Sequence, residues 1–374
     1  MGFKIFTTIV FYYSIVLMMT CCARYIDGVV EKNCYRKKYI GAFEVFFFSL
    51  LFTCYNIYVT TIGEHYGKWQ GDRGNYLYSF FYGRENSVGL DLIFQLAHYF
   101  SIDFIPLLYI ISFVCCILYF VGFRKIKDQT ISALVFFLST DAIFLTFAQL
   151  KQCFSNAFGG IFFALMLDER QSKRKDLICL VLAFSASAFH STGLILFLFF
   201  ILFKLMDLSK INVRLVFVIA LFCMFFYEPV LFFVAKVTSN IPMLSSKITS
   251  YFVEKPMQGN DGSWMTFVKG FPFYIVVFYA LYSRKNFLFE IKKFDKYLLI
   301  SFVGAILYLF SIQSYWMFRF TSLFYLPIGV FLGLLIKRES DGFVKYLIAF
   351  LVVGGLVVVN VRNIILSYIN SGGY

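Results

Sequence analysis

The chain has 374 residues, of which 60% are hydrophobic, 22% aromatic and 15% charged. Soluble proteins hold about 45–50% apolar residues, so a water-soluble globule is excluded, and the apolar stretches leave no room for a soluble catalytic domain. The net charge of +13 sits in short clusters between apolar stretches rather than along one solvated face, which argues against a nucleic-acid partner and reads as membrane topology.

Since roughly 20 apolar residues cross a bilayer as a helix, hydropathy predicts spans near 5–23, 39–60, 102–123, 129–149, 153–167, 176–189, 191–205, 215–235, 267–283, 297–313, 317–336 and 343–361. This is an all-α polytopic membrane protein with about 12 transmembrane helices in a single domain over residues 1–374. The first stretch, from Ile5 to Ala23, is too long for a signal-peptide core and lacks a small-x-small cleavage site, so it reads as a retained span. The nine cysteines are odd in number and mostly lie inside apolar stretches, where a thiol behaves as a small hydrophobe rather than half of a disulfide.

The alternate loops 24–38, 124–128, 168–176, 204–214, 284–296 and 337–345 carry 23 of the 34 Lys and Arg residues. The positive-inside rule makes these loops cytoplasmic and sends both termini outside. The alternation holds only if residues 176–205, interrupted by the polar run from Ser185 to Gly193, form a re-entrant-like pair of short helices; one long helix would leave eleven spans. Short, polar-interrupted helices commonly line a cavity.

Two long segments, 61–101 and 236–266, fall on the outer side. In the first, Asp91, Gln95 and His98 share one helical face while Leu92, Ile93, Leu96, Tyr99 and Phe100 cover the other, which predicts a helix lying in the membrane interface. Before it, Gly71 to Tyr82 reads as a turn leading into an aromatic-rich stretch. Aromatic faces here suit sugar rings or a plain interfacial anchor, and both readings stand.

On this topology Lys151, His190, Arg319 and, in the loop above them, Arg73 converge on the outer half of the molecule. A charge at membrane depth is costly and usually faces a water-filled cavity with a function. Snorkelling at a helix end is the competing reading for Lys151 and for Arg319, which follows Trp316 by three residues; a satisfied structural histidine is the competing reading for His190. Gln152 and Asn156, one turn apart, place two amides on one helix face. Asp141 and Glu228 suit counter-ions or acids facing the cavity, and Glu44 has no assignment.

Histidines 65, 98 and 190 lie on separate segments without metal-ligand spacing, no nucleotide-binding fingerprint is present, and the outer loops lack an Asp-x-Asp pair. The reading is a cationic cavity with no metal and no cofactor. Such a cavity suits a lipid diphosphate carrying a sugar, because Lys and Arg bind phosphate by charge-assisted hydrogen bonds and stabilise charge developing as the glycosidic bond breaks. A base must then accept the proton of an attacking sugar hydroxyl; His190 is the first candidate and Asp72 the second.

Together, Gly71-Asp72-Arg73-Gly74-Asn75-Tyr76, Lys151-Gln152, Ala186-Ser187-Ala188-Phe189-His190-Ser191 and Trp316-Met317-Phe318-Arg319-Phe320 resemble, in order and spacing over about residues 40–335, the EpsG-like branch of the Wzy bacterial polysaccharide polymerases. Where that family usually has Arg-Gln, this chain has Lys151-Gln152, which keeps the charge but loses the two-pronged donor. The resemblance implies a GT-C-like helical fold in the bacterial inner membrane and a metal-independent glycosyltransferase active on the periplasmic face. It moves a growing glycan from undecaprenyl diphosphate to the non-reducing end of a new undecaprenyl-diphosphate-linked repeat unit, often with a chain-length regulator as partner. Diphosphate binding then falls to Arg73, Lys151 and Arg319, the polar glycan cavity to Tyr76, Gln152 and Asn156, and acceptor activation or diphosphate contact to His190. An O-antigen ligase uses the same donor, a membrane O-acyltransferase also uses an intramembrane histidine, and a lipid-linked oligosaccharide flippase needs a similar cavity; the absence of an internal repeat weighs against the flippase.

Overall fold

The computed structural model describes residues 2–30, 43, 45–55, 57–58, 72–83, 87–124, 149–167, 172–205, 211–226, 229, 232–233, 236–237, 264–282, 291–311, 317–338 and 341–370, and among them every regular element is helical. The expected span near 129–149, most of the 236–266 segment, and Glu44, Asp141 and Glu228 lie outside these residues.

The N-terminal part comprises α1 (Gly2–Val30), α2 (Val45–Tyr55), α3 (Asp72–Tyr82), α4 (Val88–Tyr99) and α5 (Phe104–Arg124). Residues 72–82, read from the sequence as a turn and an aromatic run, form the helix α3, because Tyr76, Ser79 and Phe80 recur at helical spacing and are all buried. The interfacial helix expected around residues 91–100 is present as α4, but it is apolar on two sides. Leu90, Phe94 and Ala97 are buried against the bundle, whereas Leu92, Leu96, Tyr99 and Phe100 are exposed. His98 stacks on Phe80 at 4.2 Å and its Nε2 lies 2.9 Å from the Phe80 carbonyl, so it holds α4 to α3.

At the centre is α6 (Leu150–Met166), buried on nearly all faces and packed between α5 and α7 (Lys173–Phe189). A helix enclosed on all sides needs apolar or internally satisfied residues throughout, and α6 supplies Phe154, Ile161, Phe162 and Phe163 beside the buried amides Gln152 and Asn156. The Tyr119 hydroxyl donates to the Cys153 carbonyl at 3.0 Å and joins α5 to α6.

After α7 come a 3₁₀ turn (Ser191–Gly193) and α8 (Leu194–Leu205). The chain reverses there: Lys204 Nζ lies 2.7 Å from Asp176 Oδ2. One continuous helix would separate positions 28 residues apart by about 42 Å at 1.5 Å per residue, so residues 176–205 are a hairpin of two antiparallel helices. The ion pair is partly exposed and contributes about 0.2–1 kcal/mol; its value lies in fixing which ends meet. Ser172 caps α7 by accepting from the Lys175 N–H at 3.2 Å. Leu177, Val181 and Phe184 on α7 and Leu194, Leu198, Ile201 and Leu205 on α8 form exposed apolar stripes at helical spacing, which suit lipid rather than water.

The C-terminal part contains α9 (Val213–Phe225), α10 (Trp264–Lys269), α11 (Phe271–Tyr282), α12 (Ile291–Ser311), α13 (Met317–Thr321), a 3₁₀ turn (Ser322–Phe324), α14 (Tyr325–Arg338), α15 (Gly342–Ala349), a π turn (Phe350–Gly354) and α16 (Gly355–Asn370). The expected 317–336 span is thus helical, with a 3₁₀ turn at Ser322–Phe324 inside it. A Cβ on Gly304 would come within 2.4 Å of the Phe324 Cβ, so only glycine lets this break lie on α12. Phe324 also packs on Phe163 of α6 and Phe199 of α8, both at 5.4 Å between ring centroids, and so joins the two parts of the bundle. Among the described residues, Phe104–Gly122, Arg319–Ile336 and Gly342–Arg362 are each long and apolar enough to cross a membrane, and several apolar helices are shorter. Every regular element among the described residues is helical, and the apolar helices mark a membrane protein.

The hairpin predicts that the double variant Asp176→Cys/Lys204→Cys forms an intramolecular cross-link with a short bis-maleimide, seen as a mobility shift absent from either single variant. No shift would restore the single long helix.

Candidate functional site

Two helix breaks meet beside the first turns of α6. The first is the hairpin tip. His190 is extended (φ −148°, ψ 139°) and ends α7, which leaves the backbone N–H groups of the following turn in need of acceptors. The Thr192 N–H donates to His190 Nδ1 at 3.2 Å, and the Thr192 hydroxyl lies 2.9 Å from the same nitrogen. Gly193 sits where a Cβ would come within 2.4 Å of the Ala186 carbonyl carbon, so the tight reversal requires glycine. Phe189, just before His190, stacks on Phe154 of α6 at 4.3 Å and seats the tip.

The second break lies between α13 and α14. The change from α to 3₁₀ geometry redirects the Arg319 carbonyl, which accepts from the Ser322 hydroxyl at 2.8 Å and from Gln152 Nε2 at 3.1 Å. The residues on either side of the turn, Thr321 and Tyr325, keep right-handed helical dihedrals, and a side chain from α6 bonds the Arg319 carbonyl beside it.

Gln152 therefore touches both breaks. Its Nε2 lies 2.7 Å from Asn156 Oδ1, 3.1 Å from the Arg319 carbonyl, 3.2 Å from Ser322 Oγ and 3.3 Å from Thr192 Oγ1. Asn156 Nδ2 adds a donor to Ser322 Oγ at 2.9 Å. Gln152, Asn156, Thr192 and Ser322 are all buried, where a hydrogen bond is worth most and its loss costs most. Gln152 and Asn156, read from the sequence as lining the polar glycan cavity, are buried and hydrogen-bonded to one another and to the Arg319 carbonyl and Ser322.

Around this network the structure brings together three of the sequence-derived site residues. Lys151 adjoins Gln152 in the first turn of α6, Arg319 contributes the carbonyl that Gln152 binds, and His190 is joined to Gln152 through Thr192. Lys151, His190 and Arg319 are half-buried. Lys151 Nζ lies 5.6 Å from the centroid of the Tyr76 ring, a cation–π arrangement. Tyr76 itself is buried. Asp72 and Arg73 occupy the first turn of the same α3 helix; their side chains lie outside the described residues. Among the described residues no three His, Cys, Asp or Glu side chains come together.

The arrangement can hold an anion. Lys151 and Arg319 supply fixed positive charge, and the N-terminal end of α6 adds its dipole where Lys151 stands. Sequence reasoning did not single out Thr192 and Ser322, the hydroxyls that connect the breaks. The available signal was spacing: Thr192 lies two residues after His190, and Ser322 three after Arg319.

Replacing Gln152 by the similarly shaped Met leaves buried acceptors in both breaks without their donor. The expected cost is about 1–3 kcal/mol for each, seen as a lower thermal midpoint in detergent than wild type; Ser322→Ala should cost less because the Arg319 carbonyl keeps Gln152. Equal melting of Gln152→Met and wild type would show that the glutamine does not hold the breaks together.

No curated protein and no solved structure matches the chain. A comparison with protein families matches residues 47–370, a stretch that contains Tyr76, Lys151, Gln152, His190, Arg319 and both helix breaks, to the EpsG family. On that match, which covers most of its length, the chain belongs to the EpsG family.

Proposed function

We propose that this protein polymerises lipid-linked oligosaccharide repeat units at the outer face of the bacterial cytoplasmic membrane. It transfers the growing glycan from undecaprenyl diphosphate to the non-reducing end of a new undecaprenyl-diphosphate-linked unit. Family membership supports a polysaccharide polymerase, and the observation that carries the site assignment is Gln152, whose amide brings Lys151, His190 and Arg319 to one place.

In this reading the donor diphosphate lies against Lys151 and Arg319, with Arg73 of α3 as a third cation. The acceptor hydroxyl oxygen bonds to the anomeric carbon while the anomeric C–O bond breaks and its electron pair goes to the departing diphosphate. Fixed cations lower the barrier because they are already oriented toward the charge that develops. The acceptor proton passes to a base, for which His190 and Asp72 are the candidates. Tyr76 steadies the Lys151 ammonium through its ring face, while Gln152 and Asn156 set the positions of the groups around it. Lysine where the family resemblance implies arginine makes the grip at residue 151 monodentate, so Lys151→Arg should retain activity.

Purified protein in nanodiscs, given undecaprenyl-diphosphate-linked repeat units and no energy source, should produce longer chains on a gel. Lys151→Ala and Arg319→Ala should each slow extension about 10- to 100-fold, as expected for loss of a hydrogen bond to a charged group, while eluting as folded protein. Unchanged units with wild type would favour the ligase or flippase, and a normal ladder from the His190→Ala/Arg319→Ala double variant would remove the site assignment.

A further inference from the structure

We infer that Gly89 of α4 is a positioning residue for His190, acting through the ring of Phe189; its effect on chain extension rests on the polymerase reading above. Gly89 is the second residue of α4 and is buried. Alanine favours a helix more than glycine does, so glycine at this place needs a packing reason. The reason is Phe189, the last residue of α7. A Cβ on Gly89 would lie 2.9 Å from its Cγ and Cδ1 and 3.0 Å from its Cδ2. These atoms are the near end of the ring, and Cγ lies on the axis about which the ring turns, so spinning the ring does not carry it away.

Both partners are held from behind. Beside Gly89, Leu90 is fully buried, and Phe94 one turn further on meets the edge of Phe80 at 5.3 Å, so α4 is packed into the bundle. Phe189 stacks on Phe154 at 4.3 Å, with Phe158 at 6.0 Å, and both belong to the enclosed helix α6. The Phe189 ring thus joins the first turn of α4 to α6.

His190 is the next residue. Its N–H donates to the Ala186 carbonyl at 3.0 Å, and Gly193 sits tightly against the same peptide group from the far side of the turn. The tip has no slack of its own, so a displaced Phe189 carries His190 with it. A methyl group on residue 89 requires the ring or α4 to move from 2.9 Å to the 3.4 Å at which ordinary contact begins. A misplacement of about 1 Å from a remote substitution can cost about 100-fold in rate, and about half that shift corresponds to about tenfold. The helix α4 is therefore part of the frame of the site, although at Gly89 it contributes no side chain to it.

The test uses the nanodisc chain-extension assay. Gly89→Ala should lower kcat about tenfold per folded protein, while Gly342→Ala, where a Cβ meets nothing within 4 Å, should leave it unchanged. In the Phe189→Leu background Gly89→Ala should cost less than about twofold, because the ring it strikes is gone. Full activity of Gly89→Ala, an equal loss in both backgrounds, or failure to fold in both would overturn the inference. Ring ¹⁵N signals of His190, assigned by their loss in His190→Gln, should move in Gly89→Ala but not when Gly89→Ala is added to Phe189→Leu. Unmoved signals in Gly89→Ala would also overturn it. The spectra need no turnover, so a wild type that extends no chains but shows these shifts would remove the polymerase reading and leave the placement of His190 by Gly89 standing.

Discussion

The site depends on one buried amide. The chain turns back at His190, where α7 ends in extended backbone, and a second apolar helix tightens to a 3₁₀ turn at Ser322–Phe324. Gln152 donates to the Arg319 carbonyl at one break and to the Thr192 hydroxyl at the other. Without it the two irregular segments would lack a common partner. With it they are held against the first turns of α6, and the charged residues of three separate stretches of sequence come into one neighbourhood.

The positions of the site residues along the backbone follow from this arrangement. Lys151, His190 and Arg319 each lie next to a residue or backbone group that Gln152 or Thr192 engages, so their placement is set by hydrogen bonds of buried neutral groups rather than by attraction between the charges. The ring of Tyr76 beneath Lys151 contributes without neutralising it, since a cation–π contact leaves the ammonium its full charge. The Asp176–Lys204 pair marks the other end of the hairpin, at the base of the helices whose tip carries His190.

Much of this was legible in the sequence, for reasons that differ between residues. The hairpin could be read because a polar run interrupts residues 176–205 and the basic loops flanking it must lie on the same side of the membrane. Gln152 and Asn156 could be placed on one face because they are a helical turn apart. Thr192 and Ser322 could not be singled out, because hydroxyls in apolar helices commonly bond their own backbone, as Thr53, Ser79 and Ser187 do here with the carbonyl four residues back. Nothing in a serine's identity says which one will bridge two segments. The α3 helix was obscured by its aromatic run, and the burial of α4 by its having two apolar sides, so that one polar row could not say which of them meets the bundle.

The central claim is that Gln152 builds one anion site from two helix breaks, and the most direct measurement is an experimental structure of the protein with undecaprenyl diphosphate bound. The account predicts phosphate oxygens within hydrogen-bond reach of Lys151 Nζ and the Arg319 guanidinium, beside an unbroken Gln152–Thr192–His190 chain. A diphosphate bound at the Asp176–Lys204 end of the hairpin, or Lys151 and Arg319 turned apart toward lipid, would contradict it.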